Sequence, residues 1–277
     1  MSFLVLLLAL LVEKLSGLRH RIQRDGLWLR LLARVDSAAD DRSPWLRLIL
    51  LVLPPLLLLA LVLLILQPLA YGWLALPVHL LVLIYSLGRG DVQKSCGPFR
   101  DAWRRGDAVA AELVAERDMR IEADEPGSLL LRVQRYLLWQ GYQGFFAVIF
   151  WYALLGPLAA LGYRLVALLA EQAQGPALRE RAVQLRHGLD FIPSRVLVAS
   201  FALVGNFIAV SRELLHELLN WNLPAETLLA RAGRAAGDLG EPLTGEPGVA
   251  SLNLLWQLLV RSAVLWYAAL ALRALLL

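Results

Sequence analysis

Two arginines stand where an apolar run meets a polar one. Arg164 closes the stretch YLLWQGYQGFFAVIFWYALLGPLAALGYR, which begins at Tyr136, and Arg195 opens the run from Val196 to Ser211. Each has an aromatic neighbour, Tyr163 and Phe191. A guanidinium so placed can snorkel to the lipid headgroups, or it can clamp a phosphate or carboxylate bidentately at the membrane surface. The sequence leaves both uses open. Arg89 faces the same choice: Gly88 ends an apolar run, Arg89 anchors or binds an anion, and Asp91 caps the next segment. Gln140 and Gln143 lie at the entrance of the 136–164 stretch. Polar groups and helix breaks inside a membrane are costly, and they mark a site more often than an anchor.

Other chemistries find less support. Neither lysine, Lys14 nor Lys94, follows a Gly-rich loop, so no Walker A pattern is present. G-x-G-x-x-G, H-E-x-x-H and G-x-S-x-G are absent too. Glu213, His216 and Glu217 form E-x-x-H-E, which can gather on one helical face as metal ligands, but one histidine with two acids more often makes a solvated face. His79 and His187 are isolated and read as packing or interface residues. The single Cys96 excludes an intrachain disulfide and a Cys-rich metal centre. No catalytic residue, metal or cofactor is assigned.

The elements that must position these residues are membrane helices. Of the 277 residues 58% are hydrophobic, and the mean hydropathy is +0.59, which places the chain among multi-pass membrane proteins. The net charge of +4 fits retained cytoplasmic loops, and no basic cluster interleaved with aromatics suggests nucleic-acid binding. The start, MSFLVLLLALLVEKL, lacks a basic n-region and a cleavage site, and reads as a retained helix over 3–15. Leu27, Trp28, Leu31, Leu32 and Val35 recur at helical spacing among arginines, which predicts an amphipathic helix on the cytoplasmic surface.

From Leu48 to Gly88 no Asp, Glu, Lys or Arg occurs. That length takes two spans of ~20 residues each, over 48–66 and 69–87, joined near Gln67-Pro68 with Tyr71 and Trp73 at the outer interface. Residues 88–135 read as a cytoplasmic helical loop in which Gly106-Asp107 ends one helix and caps the next. The segment 144–169 is either a straight span or, broken at Gly156-Pro157, a re-entrant hairpin that keeps Arg179, Arg181 and Arg186 inside. Segments 196–211 and 252–277 come next, separated by an acidic stretch ending in the exposed loop GDLGEPLTGEPG. Arg261 falls well inside the last helix and is expected to face the bundle.

Particular residues carry a family resemblance. Leu87-Gly88-Arg89, FFAVIFWYALLGPLAALGYRL (145–165) and LDFIPSRV (189–196) resemble the AmpE family of bacterial inner-membrane proteins. That family is similar in turn to the cobinamide-phosphate synthases of cobalamin biosynthesis. Arg164 and Arg195 match the synthase pattern. Its polar groups, however, fall here on Trp139, Gln140 and Gln143, on Ala167, Leu168 and Ala170, and on Arg186, His187 and Asp190. Most carboxylates that would hold Mg²⁺ or activate a nucleophile are therefore replaced, which argues against an enzyme. The synthase pattern has polar motifs at both ends of the 144–169 segment, which favours the hairpin. The resemblance implies a modulator or sensor in the control of inducible β-lactamase, encoded beside the cytoplasmic amidase AmpD that recycles anhydromuropeptides.

The sequence thus predicts an all-α polytopic protein of the bacterial inner membrane with five or six membrane segments. Its partners are the lipid bilayer, a functional link to AmpD, and an anionic or phosphorylated small molecule. The ligand is expected at the cytoplasmic face on Arg89, Asp91, Gln140, Gln143, Tyr163, Arg164, Asp190 and Arg195. The alternatives are a membrane-bound synthase or ligase and a transporter component for a cell-wall fragment.

Overall fold

The computed structural model describes residues 26–37, 43–66, 68, 73–88, 92–121, 126–214 and 216–276, together with Val5 and Leu8. The expected segment 3–15 therefore lies almost entirely outside the described residues, as do Arg89, Asp91, Gln67 and Tyr71. Every regular element among the described residues is helical. They form two compact units, 1–87 with 147–190 and 88–146 with 191–277.

The first unit begins with α1 (Gly26–Ser37) and α2 (Pro44–Leu66). In α1 the apolar stripe puts Trp28 and Leu32 into the core and leaves Leu29 and Leu31 exposed, as an amphipathic helix should. Helix α2 is leucine on nearly every face and runs through Pro54 and Pro55. Leu57, Leu58, Leu61 and Leu64 stay exposed, the pattern of a helix whose solvent is lipid. Helix α3 (Ala75–Ser86) returns beside it.

After the short α8 (Ala147–Leu155), which follows elements of the second unit in chain order, the backbone breaks at Gly156 and restarts as α9 (Pro157–Gln172). Gly156 has φ 81 and ψ −164, a region open essentially to glycine alone. Pro157 lacks the N–H that a first helical residue would leave unpaired, so it starts the new helix without losing a hydrogen bond. The break reverses the chain. Tyr152 on α8 meets His79, near the start of α3, at 3.0 Å, which puts the turn toward the C-terminal end of α2. From there Leu56 covers Gly162, and Leu48 and Leu51 share one core with Leu165, Leu168 and Leu169. Past the end of α9, Asp36 accepts from the backbone N–H groups of Gln174 (2.7 Å) and Gly175 (2.8 Å). Helix α9 therefore runs back toward the N-terminal end of α2, and α8 and α9 form a broken hairpin. The start of α10 (Pro176–Val204) adds Leu178 and Ala182 to the same core.

The second unit opens with α4 (Val92–Ser95), α5 (Gly97–Arg104) and α6 (Ala108–Val114). Gly106 takes φ 73 and Asp107 Oδ1 accepts from Ala110 N at 3.0 Å, so α5 ends and α6 is capped at the Gly106-Asp107 pair that the sequence predicts. A π-helical turn, Ala115–Met119, comes next, and α7 (Pro126–Gly141) runs into a second one, Tyr142–Phe146. There Gly88 N donates to Gly144 O at 2.7 Å. A Cβ on Gly88 would lie 2.6 Å from the Gly144 Cα, so both glycines are required by the approach.

Helices α11 (Phe207–Leu214), α12 (Ala225–Ala236) and α13 (Glu246–Leu276) complete this unit with residues 191–204 of α10. Gln134 on α7 donates to Ser251 (2.8 Å) and accepts from Arg234 (2.8 Å). Arg234 also holds the Gly240 carbonyl at 2.6 Å, and Trp103 donates to Leu243 O at 3.2 Å. The loop after α12 is thereby tied down at two points.

Three features depart from the sequence reading. The run 196–211 is not one segment: α10 ends at Val204, and Asn206 starts α11 by donating to Ala236 O (3.0 Å) and accepting from Ala209 N (3.1 Å). A Cβ on Gly205 would meet that same Ala236 carbonyl at 2.7 Å, so the break is imposed by α12. Arg261 is exposed, and Ser262 is the residue that turns inward. Among the described residues three helices, rather than five or six, are long and apolar enough to cross a membrane: Pro44–Leu66, Pro176–Val204 and Glu246–Leu276. Helix α3, at 12 residues, is short of the ~20 that a bilayer core needs.

Candidate functional site

Tyr163, Arg164 and Asp190 belong to the first unit. Antiparallel α9 and α10 bring Tyr163 Oη to donate to Asp190 Oδ1 at 2.8 Å. Both residues are only 2% exposed, and Arg164 is 4% exposed. Two residues that the sequence reading did not assign complete the group. Arg186 stands one turn before Asp190, with Nε 3.9 Å from Asp190 Oδ2. Its other end lies 3.9 Å from Glu171 Oε1 in the last turn of α9. Arg164 is the next residue to Tyr163 on α9 and is likewise buried. One guanidinium, two carboxylates and a phenol thus meet where the hairpin is otherwise leucine and alanine, with Arg164 buried next in the chain to the phenol. The i, i+4 spacing of Arg186 and Asp190 is the usable signal once 176–190 is taken as helix.

Arg195, Gln140 and Gln143 belong to the second unit. Arg195 is a clamp on protein groups. Nε donates to Leu218 O (2.9 Å), Nη2 to Asn220 O (2.9 Å), and Nη1 to Phe191 O and Ser194 Oγ (both 3.1 Å). Its carbon lies 3.8 Å from the centroid of the Phe191 ring, and Phe191 meets Trp221 at 4.9 Å. The arginine therefore satisfies the carbonyls of a turn after α11, the same orphan acceptors that a helix end presents. Gln143 is buried within the second π-helical turn, and Gln140 is half-buried one turn earlier.

The E-x-x-H-E group resolves into ion pairs. Arg231 holds Glu217 at 2.7 Å and Glu213 at 3.2 Å, while His216 is exposed. Among the described residues no three metal-ligating side chains gather.

The arrangement in the first unit can bind charge and hold a proton donor, Tyr163, against a carboxylate. Comparison with known proteins supplies a family. The model described as "Regulatory signalling modulator protein AmpE" matches residues 1–211, a range that includes the hairpin, Tyr163, Arg164, Asp190 and Arg195. No curated protein and no solved structure matches the chain. With three apolar helices of spanning length and a family match over more than half of its residues, this membrane protein belongs to the AmpE family of regulatory signalling modulators.

Proposed function

We propose that the protein is a multi-pass inner-membrane modulator of β-lactamase induction, linked to muropeptide recycling, that responds to an anionic ligand bound at its cytoplasmic face. The observation that carries this reading is the buried Tyr163–Asp190 pair, with the buried Arg164 next to Tyr163 in the chain. Buried charge costs several kcal/mol per ion unless it is paired, and an anchor has no use for it. Ionisable residues at membrane depth mark ligand or ion sites. The short apolar helices α3, α8 and α9 line the same unit, and with the three long ones they supply the further membrane segments of a five- or six-segment fold. Arg195, engaged by backbone carbonyls, serves as scaffold in this reading, and the amidase AmpD is a functional partner.

The test is ligand-dependent thermal stabilisation of the detergent-purified protein with anhydromuropeptides and phosphorylated lipid precursors, since a ligand of the folded state raises stability by mass action. Arg164→Ala is expected to abolish the shift, and to abolish inducer-dependent β-lactamase in cells at normal protein abundance. Wild-type induction by the variant overturns the reading. The broken α8–α9 hairpin supports a second reading, a transporter component for a cell-wall fragment, because discontinuous helices frame transporter sites. Uptake into proteoliposomes separates the two.

A further inference from the structure

Helix α13 is long and apolar enough to cross a membrane, yet its exposed side carries a polar stripe. Asn253, Gln257 and Arg261 follow one another at i, i+4 and i+8, which sets them on one face, and all three are exposed. Exposed valines bracket the arginine, Val260 at 45% and Val264 at 64%. Among the described residues no side chain or carbonyl pairs with Asn253, Gln257 or Arg261. We propose that this stripe binds an anionic phospholipid, with Arg261 on the phosphodiester and the two amides on the headgroup around it. The site lies in the second unit and does not depend on the anion reading of Tyr163 and Asp190.

Neighbouring contacts fix the level of the stripe. Gln134 on α7 donates to Ser251 at 2.8 Å, a Cβ on Gly141 would lie 2.8 Å from Leu259 Cδ1, and Phe146 meets Trp266 at 5.2 Å. The two stretches therefore run side by side in the same direction, and Arg261 stands level with the second π-helical turn. At and just before that level come Trp139, Gln140 and Tyr142, the aromatic and polar types that collect where a bilayer meets water. Beyond it the chain is uncharged as far as Arg164. Side chains of a helix lean toward its N-terminus, so the guanidinium is carried back toward Gln257 and Asn253, to the depth of lipid phosphates.

Charge selects the occupant. Glu246, the only acid in α13, stands at the far end of the helix and already holds Arg104 at 2.7 Å. Nothing on its own helix compensates Arg261. A second copy crossing the bilayer in the same sense would set Arg261 beside Arg261, like charge against like charge where screening is weak. A zwitterionic headgroup offers a phosphate already paired with its own cation. An anionic phospholipid brings a phosphate without one, and its two free oxygens match the parallel N–H donors of a guanidinium.

The experiment follows thermal unfolding of the full-length protein in a nonionic detergent with added phosphatidylglycerol, phosphatidylcholine of the same acyl chains, or water-soluble glycerol 3-phosphate. A ligand of the folded state raises the midpoint by mass action. Phosphatidylglycerol is expected to act at a lower mole fraction than phosphatidylcholine, and glycerol 3-phosphate to have no effect. One arginine near a membrane surface contributes about a fivefold preference for anionic lipid. Arg261→Gln is therefore expected to raise the half-saturating mole fraction of phosphatidylglycerol by that factor and to leave the phosphatidylcholine response unchanged. Arg261→Lys, which keeps the charge, is expected to stay within about twofold of wild type. Gln257→Leu, expected to raise half-saturation about threefold through loss of one amide, reports even where Arg261→Gln fails to fold. Wild-type half-saturation in Arg261→Gln overturns the site, and an equal response to both lipids overturns the anionic headgroup. A shift with glycerol 3-phosphate that Arg261→Gln abolishes assigns the stripe to a soluble phosphate and overturns the lipid. Near-complete disulfide coupling between copies of Gln257→Cys in native membranes, in a Cys96→Ala background, puts a second copy on this face and overturns it as well.

Discussion

The hydrogen bond from Tyr163 to Asp190 joins a phenol to a carboxylate inside an apolar hairpin. Removing the hydroxyl in Tyr163→Phe leaves the carboxylate one donor short in a place where water cannot replace it, at a cost of about 1–3 kcal/mol. Denaturation in detergent is expected to show that loss, and in a double-mutant cycle the loss shrinks when Asp190 is already Asn. A Tyr163→Phe protein as stable as wild type sinks the account of this pair. In the sequence, Arg164 and Arg195 look alike, each at the end of an apolar run beside an aromatic residue. Their difference lies in the supply of acceptors. The carbonyls of Leu218 and Asn220 lie more than twenty positions from Arg195, and nothing in a side-chain pattern announces a backbone oxygen. Arg261 departs from expectation for a related reason: position along a helix is legible, but the facing direction depends on neighbours that only the fold supplies.

At the scale of elements, local signals are legible. The break at Gly156-Pro157 and the Asp107 cap each depend on a few adjacent residues, and each stands where the sequence puts it, while of the stripe expected in α1 Trp28 and Leu32 turn inward and Leu31 does not. The division of 196–211 is hidden, because the carbonyl that starts α11 belongs to Ala236, in a helix of its own thirty residues on. The hairpin break yields a prediction. At φ 81 and ψ −164 a Cβ is strained whatever the surrounding space, and nothing crowds the position. Gly156→Ala is therefore expected to destabilise through backbone strain alone, by about 1–3 kcal/mol. Gly240→Ala, also in open space but without a positive φ, is the control and is expected to lie within ~0.5 kcal/mol of wild type. Equal stabilities for the two variants contradict the strained junction.

For the whole molecule, the path of the chain relative to the bilayer can be argued from the hairpin of the first unit. Its polar tie between Asp36 and the N–H groups of Gln174 and Gly175 holds residues 36 and 174 at one end of α2. A straight span through 144–169 would put Gln174 across the membrane from Ser43, whereas the broken hairpin returns it to the same side. The basic residues then agree with the fold: Arg179, Arg181 and Arg186 follow Gln174 at the end of α2 where α1 carries Arg34, as the positive-inside rule asks. The single native thiol, Cys96, is buried, and Cys96→Ala gives a silent background. In that background Ser43→Cys and Gln174→Cys, both at exposed positions, are expected to react together with a membrane-impermeant thiol reagent in inverted vesicles and to be protected together in intact cells. Opposite labelling of the two positions rejects the hairpin and, with it, the return of Gln174 to the side of Ser43.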